Sequence, residues 1–173
     1  KDGKIFLFFE DFDIKKNIGC ISCIEFYNNK TKNHKVELEE DYHLSYPFVF
    51  KHENDYYMIP ESKEASSIKL YRSTSFPNKW EYVKTLIDNV EAVDSTIFFY
   101  KEKYWLFTNI ADHGATTWEE LYLFFTDNLF GVWAPHPLNP VISDVRSARP
   151  AGRIFSNNKG EIFRPCQDCS TTY

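Results

Sequence analysis

The residues of this chain that could do chemistry stand at recurring intervals. Glu61 and Asp94 are carboxylates that could divide the roles of acid and base between them. Arg149, Arg153 and Arg164 supply guanidinium forks suited to a carboxylate or a phosphate. Glu10, Asn109, Gln167 and Asp168 can accept from hydroxyl groups, and His43 and Tyr46 sit where they could join them. Together these types suit recognition of a sugar or sugar phosphate. Each also has a plainer reading: Asp94 bonding its own turn backbone, Glu61 satisfied by a neighbouring backbone or arginine, and His43 bonding backbone at a junction.

The positions of these residues follow from the strands around them. His43–Ser62, HLSYPFVFKHENDYYMIPES, is a β-hairpin pattern: an apolar run, a polar turn at Lys51–Asp55, an aromatic return, and Glu61 at its end. Asp94–Asn109 repeats it around Lys101-Glu102-Lys103, and Arg149–Gln167 repeats it around Asn157-Asn158-Lys159-Gly160. Lys4–Glu10 is the return strand of an earlier copy. Further strands are expected at Ile21–Tyr27, Val36–Glu40, Ile68–Ser73, Trp80–Ile87 and Leu121–Thr126, with another opening at Trp133.

Three landmarks set the period. Tyr46, Asp94 and Arg149 head the first strands, 48 and 55 residues apart; Trp80 and Trp133 head the fourth, 53 apart; Glu10, Glu61, Asn109 and Gln167 close the second, 51, 48 and 58 apart. Four strands every ~50 residues is the signature of a β-propeller. The expected fold is therefore all-β, a β-propeller, incomplete at about three and a half blades. One domain spans 1–173, with part of blade one at 1–41, blade two at 42–90, blade three at 91–145 and part of blade four at 146–173.

Bulk composition narrows the function. With 20 Lys and Arg against 25 Asp and Glu, and no basic cluster, a nucleic-acid partner is excluded. No apolar run is long enough for a membrane-spanning helix. The two C-x-x-C pairs, Cys20/Cys23 and Cys166/Cys169, are 143 residues apart between Cys23 and Cys166, far from zinc-ribbon spacing, and no metal is expected. No phosphate-binding glycine loop or nucleophile elbow is present, so no cofactor is expected. Free thiols weigh toward a cytoplasmic setting; the sequon Asn29-Lys30-Thr31 weighs the other way. Trp80, Trp105 and Trp133 read as packing residues rather than sugar platforms.

HLSYPFVFKHENDYYMIPES, LYRSTSFPNKW, DSTIFFYKEKYWLF, HPLNPV and ARPAGRIF followed by RPCQDCS resemble the propeller domain at the N-terminus of plant glucosamine inositolphosphorylceramide transferases and their bacterial relatives. That domain is in turn similar to the five-bladed propellers of glycoside hydrolase family 43. The resemblance implies a β-propeller of the five-bladed type with a glycan or sugar-phosphate ligand at a central channel, and an attached transferase domain or other chain segments as partners. In family 43, three carboxylates from different blades serve as base, tuning aspartate and acid. Asp94 in VDSTIFF matches the tuning aspartate; the acid's position carries Ala148-Arg149-Pro150, and arginine does not donate that proton; the base would precede Lys1. This argues against unmodified family 43 hydrolysis and for a binding domain, with two alternatives: a glycosidase or glycan phosphorylase using Glu61 and Asp94, and a protein-interaction propeller with no sugar site.

Overall fold

The computed structural model describes residues 3–28, 30–112 and 114–171. Asn29 of the sequon and His113 of the Asp112–Gly114 loop lie outside the described residues. Apart from a 3-10 turn at Lys63–Ala65, the elements among the described residues are strands. No helix there is long and apolar enough to cross a membrane.

Four groups of strands follow one another along the chain. β1 (Ile5–Asp13), β2 (Ile18–Tyr27) and β3 (Lys30–Leu38) form a three-stranded antiparallel sheet. β4 (Ser45–His52), β5 (Asp55–Glu61), β6 (Ser67–Ser75) and β7 (Asn78–Asp88) form a four-stranded meander in sequence order. β8 (Ala92–Tyr100), β9 (Lys103–Ile110), β10 (Glu120–Thr126) and the short β11 (Ala134–Pro135) repeat it, and β12 (Ile142–Ser143) also pairs with β10. Last come two small ladders, β13 (Arg149–Pro150) with β16 (Cys166–Gln167) and β14 (Phe155–Ser156) with β15 (Ile162–Phe163).

These strands form where apolar and polar residues alternate, because successive side chains leave opposite faces of a sheet. The largest core joins the faces of the second and third sheets, with Ile59, Leu70 and Leu106 fully buried among Phe48, Ile68, Ile97 and Trp133. A second core, with Ile21, Leu44, Met58, Tyr71 and Trp80, locks the first sheet onto the second. There Phe8 meets Trp80 edge-on at 5.6 Å and Tyr56 stacks on Phe76 at 3.7 Å. Trp80 also donates to the Pro77 carbonyl at 2.8 Å, so it packs as the sequence suggested. The first strands of consecutive sheets, β4 with β8 and β8 with β13, touch one another, which gathers the heads of these strands in one place.

Several strands run past the expected bounds, as β1 does beyond Glu10 to Asp13, and two depart further. β3 runs from Lys30 to Leu38 where Val36–Glu40 was expected, and is exposed until Glu37. An edge strand can be polar on both faces, so alternation carries no signal there. The strand expected from Trp133 is only two residues long, at Ala134–Pro135, since Pro135 cannot donate to a ladder.

Candidate functional site

Three consecutive sheets deliver Glu61, Asp94 and Arg149 to one cluster. Glu61 ends β5 opposite Ser45, Asn109 lies in β9 opposite Val93, and Gln167 lies in β16 opposite Arg149. In β4 the pairing skips Tyr46 and Pro47, and in β8 it skips Asp94 and Ser95. These are β-bulges at the same place in successive repeats, and Tyr46 and Asp94 take left-handed backbone angles there, φ 39° and 54°. A bulge re-aims its side chain, and here it turns the phenol and the carboxylate out of the alternating pattern. The ladders also place Arg149 level with Ser45 and Val93, one residue before the register of Tyr46 and Asp94.

One polar contact is short and the other long. Arg149 Nε donates to Asp94 Oδ2 at 2.6 Å, and the Asp94 amide donates to Glu61 Oε2 at 3.4 Å. The Asp94 carboxylate is 5% exposed and the Arg149 side chain 29%. Burial and the neighbouring Asp94 push Glu61 up to about 7. Burial also raises Asp94, although the Arg149 bond works against that rise. Burial opposes the charge on Arg149, but its bond to Asp94 holds the guanidinium above its ordinary range. The result is one charged pair beside a carboxyl that changes protonation near neutrality, which allows Glu61 either to accept a hydrogen bond or to donate one.

Tyr46 closes one side of the cluster. Its hydroxyl accepts from the Gly152 amide at 2.7 Å and bonds Thr96 Oγ1 at 3.2 Å, so one phenol links the second and third sheets to the bend between β13 and β14. A cleft of 320 Å³ opens beside it, walled by Phe6, Phe8, Phe48 and Arg153. Arg153 donates to the Val49 carbonyl and lies over the Phe48 ring at 5.1 Å.

The other expected residues are placed as follows. Arg164 donates to the carbonyls of Ser147 and Ala148, beside Arg149. Asn109 is fully buried and neither polar atom of its side chain has a hydrogen-bond partner. The register explains this: its counterpart Glu61 takes the amide of Asp94, whereas the residue after Arg149 is Pro150, which has no N–H. Gln167 is half-buried beside Arg149 in the ladder. Asp168 is exposed and accepts from the amide and hydroxyl of Ser170, capping its own turn.

His43 lies at the junction of the first two sheets. Its Nδ1 accepts from the Gly19 amide at 2.9 Å, and its Nε2 stands 3.3 Å from Glu10 Oε1. With Nδ1 accepting, Nε2 carries the proton and donates to the carboxylate. Thr96 and Gly152, which hold Tyr46, were not singled out from sequence, because neither their type nor their spacing marks them.

Comparison with solved structures shows the fold. An exo-β-1,3-galactanase from Clostridium thermocellum superposes with a TM-score of 0.69 at 15% identity, over 92% of this chain and 38% of that one. A GH43 protein from Bacillus licheniformis gives 0.66 at 12% identity, over 94% and 34%. A levansucrase from Bacillus subtilis gives 0.67 at 13%, over 83% and 52%. The chain has the all-β fold of the family 43-like propellers. Among curated sequences, glucosamine inositolphosphorylceramide transferase 1 of Oryza sativa subsp. japonica is 41% identical over 141 residues, covering 80% of this chain and 19% of that protein. The Arabidopsis thaliana protein of the same name is 38% identical over 143 residues, covering 80% and 18%. The chain therefore spans about a fifth of the length of these relatives. Residues 1–173 match the family model described as glucosamine inositolphosphorylceramide transferase 1, N-terminal, and the chain belongs to that family.

Proposed function

We propose that this domain binds a glycan or sugar phosphate at the Glu61–Asp94–Arg149 cluster, as one part of a larger carbohydrate-active protein. The observation that carries the reading is the 2.6 Å bond from Arg149 to Asp94 beside the raised carboxyl of Glu61. A sugar presents donors and acceptors in alternation, and this cluster offers the same: guanidinium N–H groups, a carboxylate, and a carboxyl that can do either. The names of the relatives and of the structural neighbours, transferases and glycoside hydrolases, support the ligand class. Our reading further takes the sheets as blades of an incomplete five-bladed propeller and the cluster as the mouth of its channel.

Titration calorimetry of the full-length protein against neutral, uronic and phosphorylated monosaccharides tests this. Binding should weaken tenfold or more in Asp94→Asn and Arg149→Gln. Unchanged affinity in both folded variants would refute the assignment.

A second reading has its own support. Glu61 titrating near 7 is poised as a proton donor, so hydrolysis or phosphorolysis of a glycoside remains a competing function for the same residues. Turnover of aryl glycosides by the full-length protein, abolished by Glu61→Gln, would replace the binding reading with this one. The protein-interaction reading would gain from a cluster that binds no sugar.

A further inference from the structure

We infer a second binding site, for a neutral polyhydroxylated ligand, in the cleft between the first sheet and the β6–β7 turn. It does not depend on the Glu61 cluster. β6 starts at Ser67, close after Glu61, and runs away from it to Ser75, so the Phe76–Asn78 turn lies at the far end of the second sheet. The cleft has a volume of 640 Å³, against 320 to 390 Å³ for the other described cavities.

The lining is chemically specific. Phe6, Phe76 and Pro77 provide an apolar floor, and the edge-on contact of the two phenyl rings at 5.5 Å holds it in place. Above it stand two opposed pairs, Lys4 to Glu25 at 2.9 Å and Lys35 to Glu37 at 3.5 Å. His34, also in the lining, is taken by Asp11 at 2.9 Å, and the two lysines and two glutamates balance, so a charged ligand would leave one of them uncompensated in a partly enclosed space.

Glu37 is the telling residue. Its side chain is only 2% exposed, yet Oε2 accepts no hydrogen bond; the Lys35 ammonium stands at salt-bridge distance, on a side chain that is 58% exposed. Buried carboxylate oxygens are normally satisfied, because leaving one unmade costs about 1–3 kcal/mol. Burial raises Glu37, with Lys35 and the Lys79 backbone acting in opposition. The exposed lysine covers an acceptor that a ligand hydroxyl would take in place of the ammonium. An apolar floor for a C–H face, an unfilled acceptor, and a rim amide at Asn33, held by Glu25 at 3.1 Å, together suit a sugar or cyclitol.

Titration calorimetry on the full-length protein tests the site with N-acetyl-D-glucosamine, D-mannose and myo-inositol, and with spermidine and glucose 6-phosphate as charged probes. At least one neutral probe should bind, losing tenfold or more in affinity in Glu37→Gln and in Asn78→Trp, which fills the cleft, while Lys159→Ala, at an exposed turn that lines neither site, leaves it unchanged. Circular dichroism establishes that each variant is folded. The site is overturned if no neutral probe binds, if only a charged probe does, or if binding survives both cleft variants. Binding lost in Arg149→Ala but kept in Glu37→Gln belongs to the Glu61 cluster and also overturns it.

Discussion

Asp94 and Arg149, 55 residues apart in sequence, meet across two neighbouring sheets at 2.6 Å. Breaking such a pair from one side leaves a buried charge, which costs more than the pair contributes. Arg149→Ala should therefore destabilise the domain by about 2–4 kcal/mol in urea unfolding. Adding Asp94→Asn should recover part of that loss, because the orphaned carboxylate is gone. Additive effects in this double-mutant cycle would show that the contact carries no coupling.

Glu61 makes stability depend on pH. Its carboxyl is raised from 4.5 in the unfolded chain to about 7 in the fold, so between these values the folded state binds the extra proton. Stability from this group is fully present below pH ~4.5 and is lost as pH rises through about 7, on the order of 3 kcal/mol at most. Glu61→Gln should flatten unfolding free energy between pH 5 and 8 and raise it at pH 8. An unchanged slope would contradict the raised carboxyl.

Tyr46→Phe tests the link from the second and third sheets to the bend after β13. The substitution removes the acceptor for the Gly152 amide and the bond to Thr96, and should cost about 1–2 kcal/mol. Amide exchange at Gly152 should speed up with it, whereas equal exchange in both proteins would mean that the phenol does not hold that bend.

Gly19→Ala tests the junction of the first two sheets. A Cβ there would lie 2.7 Å from the Leu44 carbonyl oxygen and 2.7 Å from the His43 ring. The backbone cannot yield without losing the Leu44 amide bond to Gly19 O at 2.9 Å. The expected loss is about 1–3 kcal/mol, read as a lower thermal midpoint. A variant as stable as the parent would show that β2 and the His43 segment can separate at no cost.

How far the sequence could be read depended on which interactions are local. Alternation within strands and polar turns between them are local, so the hairpins ending at Glu61, Asn109 and Gln167 were legible, as was the four-strand repeat. Alternation was silent at β3, where an edge strand has no buried face to enforce it. The sequence determined an all-β repeat and the residue types gathered at the heads of its strands. Only the tertiary structure decided what those residues do to one another. The bulges that turn Tyr46 and Asp94, the bond that gives Asp94 to Arg149, and the burial that lifts Glu61 arise where separate sheets pack together. Those contacts span tens of residues, and no pattern within one strand encodes them.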